Sequence, residues 1–225
     1  ESREIEAESF VTGGKVAARS SLPGAAVSQI AMTGLPWSAF LDLPLLPQSP
    51  ALTGLRIAAW AKPWTPVIAL SSPGTTGYAQ RLLLPGAAVA GVLVSPLAGG
   101  KSGRWDRMSA IDVQLFSGAL VAAAELLVLG GANAAAVQSA NGQWEVIQFA
   151  SASETRPGIW RLTGLLRGQL GTGDAALIGA AAESEFVLLD SAVLSAGLTS
   201  EESGLTLNWK SGPQGKDFPD RYFDT

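Results

Sequence analysis

The glycine-rich stretch Gly171-Thr172-Gly173-Asp174-Ala175-Ala176 has the spacing of a cofactor motif. It fits G-x-G-x-x-A, in which glycines let the backbone approach a pyrophosphate, and Asp190 stands where a ribose-binding acid would follow. However, glycines interrupt the preceding strand pattern, and alternating strands and helices are missing around it. A second stretch, Gly99-Gly100-Lys101-Ser102, ends like a phosphate-binding loop but has Ser95 where the first Gly is required. We therefore expect no cofactor.

Catalytic groups of the usual kinds are scarce. The chain contains no His and no Cys, which removes imidazole acids and bases, thiol nucleophiles and ordinary zinc sites. Paired carboxylates can hydrolyse glycosides, and two pairs stand out. Asp106 could lie near Asp112, and Glu145 near Glu154 across a hairpin. Because 19 acidic residues are spread along the chain, chance neighbours are expected. We predict no enzyme and no metal site, and keep a polysaccharide hydrolase as an alternative.

The tryptophans support another alternative, a carbohydrate-binding module that contacts a host envelope. Indole rings can stack on sugars, but those within strand patterns more often pack in a core. The chain has seven Trp, including Trp60, Trp64, Trp105, Trp144 and Trp160.

Charge is unusually sparse, with 15% charged against 47% hydrophobic residues, where about 25% charged is typical. Such a surface suits a piece packed against neighbouring subunits and predicts an exposed apolar patch. The net charge of -4 and the scattered Lys and Arg argue against nucleic-acid binding. The long apolar runs are broken by Pro, Gly or Glu125, so we expect no membrane span.

Short apolar or alternating runs separated by turn residues predict a mainly β fold, barrel-like or sandwich-like. Asn141-Gly142 is a strong hairpin signal. Alanine content favours helices at 119–125 and 173–183. Strands are predicted at 55–61, 66–71, 78–84, 88–95, 110–116, 125–129, 143–149, 159–163, 185–190 and 204–209.

The domain prediction is a connector over residues 1–50 that lies on two abutting β-rich lobes, 51–100 and 101–225. Trp37, Phe40 and Leu41 are too apolar for a free linker, so they form a candidate interaction surface or cap the core. The chain begins with Glu1, without Met or a secretory signal, and we expect a segment of a longer protein.

Several sequence blocks, in this order and spacing, resemble the C-terminal part of the large tail-tip proteins of gene transfer agents and lambda-like siphophages, the host-specificity or megatron-like proteins. Upstream, residues 40–46 and 59–64 also look like the family. The blocks are Gly118-Ala119-Leu120, residues 129–135, Gln143-Trp144-Glu145-Val146-Ile147-Gln148-Phe149, residues 158–172 and Phe186-Val187-Leu188-Leu189-Asp190. The family usually has a charged residue, often Glu, where this chain has Gly173.

The resemblance implies a structural protein of a tail tip or baseplate, within a phage virion or gene transfer agent particle assembled in the bacterial cytoplasm. It would contribute to assembly, host attachment or DNA delivery. Its implied partners are other tail-tip subunits, including copies of itself, and a host-surface glycan or receptor. It implies no catalytic residue in this segment.

The resemblance also gives a physical reading of residues 165–172. An Arg guanidinium offers five donors in a fixed fork, so Arg167 could satisfy carbonyls at a chain reversal. Gly168 and Gly171 would let the backbone turn tightly beside it. With Gln169 and Thr172, these residues form a predicted structural clasp, and a partner-binding patch is the alternative.

Overall fold

The structure is a computed structural model that describes residues 34–45, 54–202 and 204–216. Within these ranges strands dominate, accompanied by two short helices and a 3₁₀ turn at Ser200–Glu202. The strands are β1 (Trp37–Asp42), β2 (Leu55–Trp60), β3 (Val67–Ser72), β4 (Ala79–Leu84), β5 (Ala90–Leu93), β6 (Trp105–Asp106), β7 (Ile111–Leu115), β8 (Ala134–Gln138), β9 (Trp144–Arg156), β10 (Ile159–Gln169), β11 (Glu185–Leu188), β12 (Leu194–Ser195) and β13 (Asn208–Pro213); the helices are α1 (Glu125–Leu129) and α2 (Gly173–Ile178).

Six antiparallel strands form a closed barrel in the order β10, β7, β5, β11, β8, β9, and β9 pairs again with β10. The short strand β6 pairs with β10 at Leu165 and Leu166, beyond the end of β7. Closure pairs both edges of each barrel strand, which protects the sheet from unwanted strand addition.

The barrel interior is filled by side chains from alternate positions of its strands. In β7, for example, Ile111, Val113 and Leu115 are buried while Asp112 and Gln114 are only partly so. Inward residues of β9 and β10 join the same cluster, which includes Ile147, Phe149, Leu162, Leu165 and Phe186.

Two further three-stranded sheets pack outside the barrel. We call β1, β2 and β12 the middle sheet, and β13, β3 and β4 the outer sheet. Alternate residues of β2 point to opposite sides, so Ala58 packs with barrel residues such as Ala136. Ile57 and Ala59 pack instead against the outer sheet. Strand β2 of the middle sheet is therefore buried on both faces.

The mainly β prediction is confirmed, but two local predictions are wrong. Residues 125–129 form helix α1 rather than a strand, because Glu-Leu-Leu-Val-Leu has good helix propensity and Gly130 and Gly131 follow it. Residues 119–124 are not helical. The alanine-rich strand β8 was not predicted, because alanine has weak β propensity. It forms a strand because β9 and β11 pair with it on both sides.

The predicted boundary at residue 100 falls inside the barrel segment. Strand β5 precedes it and pairs with β7 after it, from Gly91 opposite Leu115 to Leu93 opposite Val113. Of the predicted connector, residues 34–45 are described and contain β1; residues 1–33 and 46–50 lie outside the described ranges.

Candidate functional site

A buried ion pair closes one end of the barrel. Glu145 on β9 shares the inward side with Ile147 and Phe149, and Arg167 on β10 shares it with Leu165. The guanidinium Nε lies 2.6 Å from Glu145 Oε1, and Nη2 lies 2.9 Å from Oε2. The exposed fractions are 0% for Arg167 and 1% for Glu145. This two-point geometry is the strongest form of carboxylate recognition by Arg.

The remaining donors of Arg167 hold the segment that covers this end. Nη1 donates to the Ala98 carbonyl at 3.1 Å, and Nη2 also donates to the Ala176 carbonyl of α2 at 3.4 Å. Gly100 N–H donates to the same Ala176 oxygen. One guanidinium thus links β9, the chain near residue 98 and α2.

The turn after Arg167 is built on positive φ angles. Gly168 has φ of 57°, and a Cβ there would lie 2.9 Å from Gly173 Cα, so only Gly fits. The Gly168 N–H donates to Glu145 Oε1 at 3.0 Å. Gly171 has φ of 87° with open space around it.

Two polar side chains fasten this turn. Thr172 Oγ1 accepts from Val146 N–H at 2.9 Å and donates to the Gln169 carbonyl at 2.8 Å. Gln169 Nε2 donates to the Arg167 carbonyl at 2.9 Å. All five residues singled out in the sequence therefore lie at the end of β10 or just after it, and four of them make polar contacts among themselves or to β9.

The carboxylates considered for catalysis occupy separate structural positions. Glu145 and Glu154 lie nine residues apart on the single strand β9, about 30 Å along it. Their predicted meeting across a hairpin is wrong, because the hairpin turns at residues 157–158 instead. Glu145 contacts Arg167, whereas Glu154 accepts from Gly158 N–H at 2.7 Å.

Asp106 and Asp112 lie on β6 and β7, which pair with different parts of β10. Asp112 forms a two-point pair with Arg161, whose hydrogen bond lowers the pKa of Asp112. Burial opposes ionisation of Asp106, but hydrogen bonds from Ser109 and Met108 outweigh it and lower its pKa. Both groups are thus held as carboxylates, the form opposite to a general acid.

The two glycine-rich stretches lie beside each other at the covered end of the barrel. The second of them holds Gly100, whose N–H is already bonded to Ala176, and no helix follows it before β6. Gly173 begins α2, which is six residues long and is followed by Gly179. The backbone then returns to pair Ala180 with Leu97.

The candidate interaction surface divides within β1. Leu41 is fully buried in the cluster between the barrel and the middle sheet. Trp37 is partly buried, donates from Nε1 to Glu185 and packs edge-on against Phe116. Phe40 is 36% exposed and contacts the Trp209 ring at 5.5 Å between centroids. Of the three residues, Phe40 has the largest exposed fraction.

A groove of about 660 Å³ lies between β1, the β8–β9 hairpin and the turn before α2. Its exposed carboxylates belong to Asp42 and Asp174, and Phe40 forms part of its wall. Asn141 and Gly142 lie in the hairpin, where Asn141 Oδ1 accepts from Gln143 N–H. The groove can accommodate a small polar ligand.

Among the described residues, no group of three or more carboxylates is arranged to hold a metal ion. The helices in the described ranges are also too short to cross a membrane.

Comparison with known proteins finds a family match for part of the chain. Residues 88–187 match the family described as Rcc01698-like, C-terminal. The match begins just before β5 and ends inside β11, so the Rcc01698-like region coincides with the barrel. That family is associated with the gene transfer agent of Rhodobacter capsulatus, which relates the barrel to gene transfer agent proteins. No curated protein matches the chain.

Two features were missed from the sequence. Glu145 was considered as a catalytic acid, although its inward position between apolar neighbours in β9 could have indicated a buried ion pair. Helix α1 was taken as a strand, and its exposed leucines were therefore not recognised as a surface.

Proposed function

We propose that this chain is a structural component of the tail tip or baseplate of a gene transfer agent or related phage particle. It contributes there to assembly and to host-cell attachment or DNA delivery, in contact with other tail-tip subunits. The observation that carries this proposal is the coincidence of the Rcc01698-like match with the six-stranded barrel.

The construction of the barrel supports a load-carrying role. Its interior is packed with side chains, and Arg167 with Glu145 fills the covered end. A closed, filled barrel resists deformation and leaves its outer surface and loops available for neighbours. Such a unit suits a permanent position in a particle.

The test is an internal deletion in the full-length protein of a producing strain. Leu188 N–H donates to the Val89 carbonyl at 2.9 Å, so a short Gly-Ser linker can replace residues 90–187 while both flanks stay connected. We expect fewer complete particles by electron microscopy and a loss of gene transfer. The control is the surface substitution Arg161→Ala, which should leave both unchanged. Normal particles with normal transfer after the deletion would overturn the proposal.

The groove beside Phe40 favours glycan binding as a second candidate function. An exposed aromatic ring next to carboxylates and amides is a common arrangement for sugars, with the ring packing on the apolar face and the polar groups binding hydroxyls. A glycan array with Phe40→Ala and Asp174→Asn tests this. Loss of a bound glycan in both variants, but not in Glu201→Gln outside the groove, would support it; the absence of any bound glycan would refute it.

A further inference from the structure

Helix α1 exposes aliphatic side chains to solvent. Leu126, Leu127 and Leu129 are 79%, 61% and 63% exposed, and Val121 just before the helix is 69% exposed. Met108, on a neighbouring loop, is 95% exposed. We call these five residues the α1 face. The surfaces of soluble proteins seldom concentrate so many aliphatic side chains, so we expect the α1 face to bind a partner.

The helix geometry directs these leucines away from the barrel. At 100° per residue, Leu126, Leu127 and Leu129 span about 160° of the helix and are centred opposite Val128. Val128 is fully buried, and its carbonyl accepts from Gln148 Nε2 on β9. Val128 thus anchors the helix, while its three leucines project outward.

Cations adjoin the α1 face. A groove of about 480 Å³ is lined by Lys101, Arg104 and Arg107, together with Trp105 and Met108. Lys101 and Arg104 are exposed and belong to none of the ion pairs among the described residues. The two acidic residues nearby, Asp106 and Glu125, already have hydrogen-bond or ion-pair partners within the chain. Asp106 accepts from backbone N–H groups, and Glu125 pairs with Arg107.

A two-point ion pair joins the groove to the helix. Arg107 Nη1 and Nη2 lie 2.7 and 3.0 Å from the two oxygens of Glu125, the first residue of α1. Met108 follows Arg107 directly and also lines the groove, so it belongs to both the groove and the α1 face. Free cations and aliphatic side chains therefore form one continuous surface in a chain of net charge -4.

We infer that this surface binds an anionic phospholipid bilayer. The α1 face enters the interface between headgroups and acyl chains, and Lys101 and Arg104 contact lipid phosphates. Protruding aliphatic residues beside cations match the division of a bilayer surface into apolar and anionic layers. Protein interfaces depend more on Trp, Tyr and Arg anchors. The α1 face contains no aromatic ring, and the half-buried Trp105 ring of the groove already packs against the Arg107 guanidinium at 5.5 Å. The inference goes beyond the proposed structural role and does not depend on it.

The test uses the 225-residue chain with vesicles of phosphatidylcholine and phosphatidylglycerol, and phosphatidylcholine vesicles for comparison. The chain has no Cys, so Met108→Cys gives a single site for an environment-sensitive fluorophore. We expect co-sedimentation with the anionic vesicles and a blue shift of the fluorophore, both reduced by added salt. The double substitution Leu126→Ser with Leu127→Ser should weaken partitioning roughly tenfold or more for each leucine.

Charge and control variants complete the test. Replacing Lys101 or Arg104 by Ala should weaken binding to anionic vesicles about fivefold each, since each cation contributes about that much at a lipid surface. The control is Leu205→Ser, because Leu205 is 60% exposed but follows the acidic residues Glu201 and Glu202. Circular dichroism confirms that each variant is folded.

Three outcomes would overturn the inference. The first is a folded chain that does not bind anionic vesicles. The second is binding that the α1 and Leu205 variants reduce equally. The third is self-association of the free chain that the α1 substitutions abolish, because the face would then be an interface between copies.

Discussion

Arg167 and Glu145 form a buried two-point ion pair at 2.6 Å, whereas Arg161, six residues earlier on the same strand, makes a pair of 2.7 Å with Asp112 at the surface. Arg167→Met should destabilise the protein by about 3 to 5 kcal/mol, because it leaves the Glu145 charge buried without a partner. Arg161→Met should destabilise the protein far less than Arg167→Met, since water screens the exposed pair. Urea unfolding followed by fluorescence measures both.

A double substitution tests whether the unpaired Glu145 charge causes the loss of stability. Arg167→Met with Glu145→Leu should be less destabilising than Arg167→Met alone, because no lone charge remains buried. Arg167→Lys should restore little stability, since an ammonium lacks the planar fork that also reaches Ala98 and Ala176. A fully stable Arg167→Met variant would contradict the structural clasp.

Gly168 and Gly171 separate two reasons for requiring glycine, a positive φ angle and the lack of room for a Cβ atom. Both have positive φ, so Ala at Gly171 should cost about 1 to 2 kcal/mol through the backbone alone. Ala at Gly168 should cost more, because its Cβ would also lie 2.9 Å from Gly173 Cα. Equal unfolding free energies for the two variants would show that the close approach at Gly168 relaxes without cost.

Thr172 connects the turn to β9 through its hydroxyl. Thr172→Val keeps the side-chain shape but leaves the Val146 N–H without its acceptor, at an expected cost of about 1 to 3 kcal/mol. Thr172→Ser keeps the hydroxyl and should lose less stability. Thermal unfolding of the two variants checks this prediction, which requires a lower midpoint temperature for Thr172→Val than for Thr172→Ser.

Glu185 makes stability depend on pH. Burial raises the pKa of Glu185, although the Trp37 hydrogen bond opposes the shift. Because the pKa of Glu185 is higher in the folded state, the protonated carboxyl contributes to folding stability. This contribution is fully present below the unfolded pKa, near 4.5, and is lost as pH rises through the folded value. Glu185→Gln should therefore be more stable than the parent chain at pH 7 and equal to it near pH 3, because Gln keeps the acceptor for Trp37. An unchanged difference across this range would contradict the prediction.

The sequence predicts the β class because short apolar runs and turn residues are local signals. The same signals fail at α1 and β8. Residues 125–129 are apolar enough for either element, and their exposure is decided by the contact with β9, where Val128 is buried and its carbonyl accepts from Gln148. The alanines of β8 become a strand because β9 and β11 pair with them, which is a tertiary effect.

The candidate site was predicted in part for a related reason. Arg167 and its glycines are neighbours in sequence, so a local argument could single them out. Glu145 comes from a different strand, 22 positions away, and only the register of β9 against β10 brings the two together. The groove at Phe40 and the cations beside α1 likewise combine residues from separate elements.

The contact between Leu188 and Val89 has a consequence for the order of folding. The chain from Val89 to Leu188 contains all six barrel strands. In the middle sheet, β2 comes before this segment in the chain and pairs with β12, which comes after it. Closing that long loop in an unfolded chain costs more conformational entropy than closing the shorter loops within the barrel. A barrel that has already formed holds its two ends one hydrogen bond apart and removes most of that cost. We therefore expect the barrel to fold first and the two outer sheets to assemble on it afterwards.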